Sequence, residues 1–154
     1  MPDLITHTAF AYFIRKRYWS GFYITVFIIG AVLPDVFSRL RIIADDYHWF
    51  LSTFHTPFVL ILLSLLISRF FAPGLRKRVF KILLMGVASH FVLDILQLGI
   101  DDKGNNLFFP FTDWDIQLGI FWPEDSLLLI PFILCYFLIL FLIKYIKRYK
   151  FKTQ

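Results

Sequence analysis

The sequence predicts an all-α integral membrane protein, a compact bundle of about five helices, on three observations. The 154 residues are 58% hydrophobic, with 20 Phe and a mean hydropathy of +0.69, whereas a soluble domain averages nearer ~50% apolar. The apolar residues are gathered into four runs, roughly 20–34, 57–72, 79–100 and 127–143, each close to the length of a membrane helix. The basic residues fall between these runs in a pattern that alternating spans explain.

Taken in order, the first element is the weakest. "DLITHTAFAYFI", residues 3–14, is apolar enough to enter a membrane but short, and it is read as an N-terminal membrane helix added to four strong spans. The chain begins "MPDLITH", with an acid and no basic stretch, unlike a cleaved signal peptide. The second run closes on Pro34 and Asp35 in "GAVLPD", and the third opens after His55 in "YHWFLSTFHTPF". The fourth holds "GVASHFVLDIL", residues 86–96. The last, "LLLIPFILCYFLILFLI", has 17 residues and as a helix reaches roughly 25 Å at ~1.5 Å per residue, nearly crossing a ~30 Å hydrocarbon core. Pro131 falls in its first turns, where it favours a bend. Cys135 is the only cysteine, so no internal disulfide forms. No repeat, low-complexity tract or linker divides the chain, and residues 1–154 read as one domain.

Charge sets the expected orientation. Arg15, Lys16 and Arg17 precede the first strong span. Arg69, Arg76, Lys77, Arg78 and Lys81 fill the connection between the second and third, and Lys144, Lys147, Arg148, Lys150 and Lys152 follow the fourth. These thirteen of the sixteen Lys and Arg fall on one side of alternating helices, which the positive-inside rule makes cytoplasmic. The pI of about 9.4 is thereby explained by topology, and nucleic-acid binding is not expected. The N-terminal segment has two placements: an amphipathic helix on the cytoplasmic face, or a helix that enters from outside and ends at "RKR". The second gives five helices, with the C-terminus cytoplasmic, and is preferred because it alone puts His7 near the other polar groups.

In that arrangement all eleven carboxylates and all four histidines lie on the outer side or in the outer half of a span. Acidic residues contribute little to topology, so this segregation asks for a separate cause. His90 and Asp94 are four residues apart, neighbours on one helix face. Gly86, a turn earlier on that face, admits a second helix at close range. An intramembrane carboxylate costs about 2.5–3.5 kcal/mol at the bilayer centre and is retained where it has a partner. That pair alone is served by an internal hydrogen bond. Joined by His7, Asp35 and His55 from separate helices, it becomes a donor set suited to zinc or another divalent transition metal. Asp94, with two oxygens, is placed to bridge two ions.

These residues, in this order, resemble the YdjM-type family of membrane-bound metal-dependent hydrolases. The resemblance runs from the Met-Pro-x-x-x-Thr-His start, "MPDLITH", through the Leu-Pro-Asp of "GAVLPD" and the His-rich loop "HWFLSTFHTP". It continues to the Ser-His-x-x-x-Asp helix, "SHFVLD", and the Pro-containing loop "LFFPFTDWDIQLG". The family in turn looks similar to zinc-dependent phospholipases C, all-α enzymes in which a His-x-x-x-Asp helix supplies a bridging Asp. The resemblance implies that Asp35, His55, His90 and Asp94 bind one metal and that His7 and Asp94 contribute to a second. This chain has no histidine after His90, so it lacks the set those phospholipases use for a third zinc. "FHTP" stands where many relatives have His-Ser, and His48 lies farther from His55 than is usual, which makes His55 the stronger ligand candidate.

The expected activity is hydrolysis of a phosphoester, of a lipid or lipid-linked substrate, at the extracytoplasmic membrane surface. One or two divalent ions, zinc by expectation, would activate water and neutralise developing charge. Asp35 and Asp94 are the catalytic candidates, orienting water while serving as ligands. Arg39 and Arg41, in the outer loop, have the guanidinium geometry to hold a phosphate, and serve equally as interfacial anchors. "LFFPFTDWDIQLGIFWPED" suits the headgroup region, and Asp113 and Asp115 within it are either extra metal contacts or ordinary solvated loop residues. The alternative is a non-catalytic membrane protein with a closed, structural metal site, in a lipid-binding or transport subunit. A proton or ion relay is weaker, because only one carboxylate lies well within a span.

Overall fold

The computed structural model describes residues 4–16, 18–39, 53–97, 105–112, 114–120, 122 and 125–152. Among these residues the chain forms five α-helices and one two-residue strand pair. The helices are α1 (Leu4–Ile14), α2 (Gly21–Arg39), α3 (Pro57–Arg69), α4 (Pro73–Leu96) and α5 (Asp125–Lys152). β1 (Asn105–Asn106) pairs antiparallel with β2 (Asp115–Ile116), Asn105 opposite Ile116.

Local chemistry explains the helix starts. Thr56 and Ala72 are both extended, with ψ of 143°, as the residue before a proline prefers. Each hands over to a proline at the first helical position, Pro57 and Pro73, where the missing N–H costs nothing. α4 therefore starts six residues earlier than the apolar run at 79. Its first turns carry the basic residues Arg76, Lys77 and Arg78, which are good helix formers although they are not apolar. α2 runs five residues past Pro34 instead of closing there. The ring removes the N–H that would reach the Gly30 carbonyl, but Pro34 is fully buried against the bundle and packing carries the helix through to Arg39.

The core is a seam between α2 and α4. A β-carbon added at Gly30 would run into the Leu83 carbonyl, and one added at Gly86 into the Phe27 carbonyl. The two backbones thus touch directly, as small residues permit. Ala11, Val26, Phe27, Ala31, Val79, Ile82 and Leu83 close around this contact. α3 joins through Leu60, Ser64 and Ser68, all buried and spaced by four, with Leu60 meeting Val87 and Phe91. α5 meets α1 through aromatic rings, Tyr12 with Phe137 at 5.0 Å and Phe13 with Tyr136 at 4.7 Å between centroids.

Beside the apolar seam, the interior is rich in polar groups. The interior holds Thr6, His7, Asp35, Ser64, Ser68, Ser89, His90, Asp94 and Gln97. Large apolar side chains face outward instead, including Phe58, Ile61, Leu62 and Leu66 on α3 and Phe132, Leu138 and Phe141 on α5. By length and composition, α4 alone among the described helices can cross a membrane; its 24 residues reach roughly 36 Å at ~1.5 Å each. The other apolar stretches, Leu4–Ile14, Gly21–Val36, Pro57–Arg69 and Pro131–Ile146, are shorter. Of the four spans expected from the sequence, one, in α4, has the length and apolarity of a full span among the described residues, and α5 is longer still at 28 residues although its described apolar stretch is shorter.

Candidate metal centre

The seam positions the polar groups. From Gly86, one turn along α4 brings His90 and another brings Asp94; on α2 the corresponding turn runs from Ala31 to Asp35. The His90 Nδ1 lies 2.8 Å from the Ala31 carbonyl oxygen. A carbonyl only accepts, so Nδ1 carries the hydrogen and the neutral ring presents a bare lone pair at Nε2. That Nε2 lies 3.1 Å from Asp94 Oδ2, 3.9 Å from Asp35 Oδ1 and 2.9 Å from His55 Nε2. That lone pair can accept from the His55 ring or ligate a cation placed between it and the carboxylates.

His55 arrives from the segment just before α3, with its Nε2 3.2 Å from Asp94 Oδ2 and 3.9 Å from Asp35 Oδ1. The Phe91 ring stands edge-on to it, with centroids 5.6 Å apart. His7 arrives from the first turn of α1, stacked on His90 at 3.9 Å, with its Nε2 3.5 Å from Asp94 Oδ1. α1 and α2 thus form a hairpin whose start and end meet at the same end of the bundle. His7 is thereby brought to the other donors, as the sequence led us to expect.

The donor set fits a divalent metal. Two groups, His55 with His90 and Asp94, and His7 with Asp35 and His90, each offer three ligand atoms lying within 4.8 Å of one another. Donors at ~2.1 Å from a tetrahedral zinc lie ~3.4 Å apart, and the observed separations bracket that edge. Both ring nitrogens of His7 and both oxygens of Asp94 are buried, and the polar neighbours of the Asp94 oxygens among the described residues are the imidazoles of the cluster itself. Groups of this kind cost ~1–3 kcal/mol each when left unsatisfied, and ligation would remove that cost. Asp94 turns Oδ2 to His55 and His90 and Oδ1 to His7, a split that suits a carboxylate between two ions.

A family model described as YdjM inner membrane protein matches residues 3–152. The chain belongs to this family. No curated protein and no solved structure matches it. As a member of the YdjM family, a group of inner membrane proteins, the chain combines an apolar exterior with a buried His and Asp cluster able to hold a metal ion.

Five of the candidate site residues, His7, Asp35, His55, His90 and Asp94, are brought together. Arg41, His48 and Asp113 lie outside the described residues. Arg39 ends α2 one turn past Asp35, and Asp115 sits in β2; their side chains are likewise outside the described set. Two features escaped the sequence reading. Gly30 is the partner of Gly86 in the seam, and its only signal was a small residue inside an apolar run. Gln97, 3% exposed, closes α4 with its amide nitrogen buried and without a hydrogen bond among the described residues; its signal was its position three residues after Asp94.

The surroundings leave one side accessible. The His55 side chain is 11% exposed, whereas those of His7, Asp35, His90 and Asp94 are at most 4%. Phe111, largely exposed, leans on Phe58 of α3, with ring centroids 5.9 Å apart. The segment that carries it is tied to α4 further on, where the Leu118 and Ile120 amides donate to the Ile95 and Leu96 carbonyls, each at 2.7 Å. These bonds satisfy carbonyls in the last turn of the helix, and the left-handed Gly119 between them (φ 59°) lets the chain make both.

Proposed function

We propose that this chain is a membrane-embedded, metal-dependent hydrolase that cleaves a phosphoester of a lipid or lipid-linked substrate at the extracytoplasmic surface. The observation that carries this reading is the convergence of three imidazoles and two carboxylates from four parts of the chain, with donor atoms 2.9–3.9 Å apart, at the acidic end of a bundle whose outer surface is apolar. His55, His90 and Asp94, with Asp35 beside them, would hold one ion. His7 would contribute to a second with Asp94, whose Oδ1 faces it. Nitrogen and carboxylate donors at tetrahedral spacing favour zinc. When bound, such an ion supplies Lewis acidity to a water nucleophile and to a phosphoryl oxygen.

The chain's own groups do the rest. The Ala31 carbonyl fixes the His90 tautomer and ring angle. The Asp35 and Asp94 oxygens accept hydrogens from the attacking water and set its direction. Arg39, a turn past Asp35, and Arg41 would hold the substrate phosphate. The exposed Phe111, Trp114 and Trp122 would seat the access side at headgroup depth, with the basic end and the C-terminus in the cytoplasm.

Metal-loaded protein assayed on a panel of phospholipids and prenyl phosphates tests this reading. Release of a phosphate product that is lost in Asp35→Asn, with metal content retained, supports it; an inert wild type that retains its metal overturns it. The second reading, a structural metal site in a lipid-binding or transport subunit, draws on the near-complete burial of four of the five donor residues, since structural sites are closed by protein ligands. That inert, metal-bearing wild type is the result it requires.

A further inference from the structure

A second polar feature lies toward the opposite end of α4. Where α3 turns into α4, a cavity of about 250 Å³ opens between the two helices. Arg69, Arg76 and Lys77 supply its charge, Ser68 part of its floor, and Leu65 and Phe80 its apolar walls. Arg76 is half-buried, and its guanidinium is held in place by a hydrogen bond from Nε to the Phe71 carbonyl, at 3.0 Å. Ser68 is 2% exposed. Its hydroxyl hydrogen is taken by the Leu65 carbonyl, so the three cations are the donors the recess offers.

Nothing described on the chain neutralises these cations. The carboxylates whose side chains are described are Asp35, Asp94 and Asp125. The first two belong to the His and Asp cluster, and Asp125 accepts from the Trp122 amide. The start of α4 adds to the positive field. Its first turn has no acidic residue, and Ala72 offers no side-chain cap, so the helix dipole is uncompensated where the cations gather.

Positive charge at this end of the helices follows from the insertion rule, but insertion requires no cavity. Here two arginines and a lysine line one recess with a leucine and a phenylalanine, beside the exposed apolar surface of α3. We infer that this cavity binds the phosphate of an anionic phospholipid headgroup, with its acyl chains lying along α3. Guanidinium groups match phosphate oxygens geometrically, and basic pockets between membrane helices on the cytoplasmic side recognise anionic headgroups. The apolar walls favour a lipid over a free anion. This inference does not depend on hydrolysis at the other end, which lies roughly 21 Å away along α4 by the ~1.5 Å rise per residue.

The test uses the full-length protein, purified in detergent and stripped of lipid. Binding of short-chain phosphatidylglycerol, short-chain phosphatidylcholine and inorganic phosphate is measured at equilibrium and by native mass spectrometry. Wild type should hold phosphatidylglycerol at least about tenfold more tightly than phosphatidylcholine, and Arg69→Gln/Arg76→Gln should lose at least about fivefold. Lys77→Gln, a milder change that spares the Arg76 anchor, should lose about twofold to fivefold if the double variant does not fold. Lys144→Gln on α5 removes the same unit of charge outside the cavity and should bind as wild type does. Equal binding of the two lipids, or wild-type binding by Arg69→Gln/Arg76→Gln and Lys77→Gln, overturns the inference. Inorganic phosphate that displaces phosphatidylglycerol at the same concentration overturns the lipid assignment in favour of a free-anion site. Metal content should match wild type in every variant, which separates failure here from failure at the His and Asp cluster.

Discussion

At one end of the bundle His7, Asp35, His90 and Asp94 are 0–5% exposed and within contact of one another; at the other, Arg69, Lys77 and Arg78 stand exposed around the α3–α4 turn. α4 runs from one end to the other, so a single helix carries both chemistries. The insertion rule accounts for cations on the surface of the side they do not cross. It gives no reason for carboxylates buried at the far end, where each must be offset by a partner. The three imidazoles gathered around those carboxylates sharpen the contrast, because together they form a donor set that a shared cation would satisfy.

The largest effect should come from the seam on which the acidic end depends. Gly86→Leu would drive a side chain into the α2 backbone, a clash beyond the ~1–3 kcal/mol usual for overpacking. Loss of monodisperse protein on size exclusion is expected, and a well-folded Gly86→Leu would show that the two helices need not touch to form the cluster. Next come the ligands themselves. Asp94→Ala and His90→Ala should keep the fold and lose metal affinity by more than the ~10–100-fold seen for outer-shell partners, read by metal analysis after dialysis. His7→Ala should be milder, removing one of the two ligand groups while His55, His90 and Asp94 remain. Weaker metal retention than wild type is the expected reading, and unchanged retention would place His7 outside the metal shell. The smallest effect should be at α5: Phe137→Ala removes a ring contact worth ~0.5–1.5 kcal/mol, lowering thermal stability slightly with metal content unchanged.

Much of this was legible in the sequence, and the reasons are specific. His90 and Asp94 could be paired from spacing alone, because helix geometry fixes i and i+4 on one face. His7, Asp35 and His55 could be assigned to the same end once the basic clusters set the alternation of helices. Their distances could not, because these depend on how closely α2 and α4 approach, and that turns on Gly30, which looks like any small residue in an apolar run. Helix ends were misplaced where proline and charge mislead. Pro34 reads as a stop but is carried through by burial, and Arg76, Lys77 and Arg78 read as a loop but form the opening turns of α4 behind Pro73. The cavity at that turn was invisible, since a basic cluster in sequence does not say whether its side chains converge.

Metal analysis of freshly purified wild type, beside Asp94→Ala, bears on all of this at once. Divalent metal at one or two ions per chain at neutral pH is expected, absent from Asp94→Ala and released on acidification as the imidazoles take up protons. Wild type that carries no metal when fresh, and takes up none when zinc is supplied, would contradict the metal centre and leave the buried carboxylates and imidazoles as a hydrogen-bonded core.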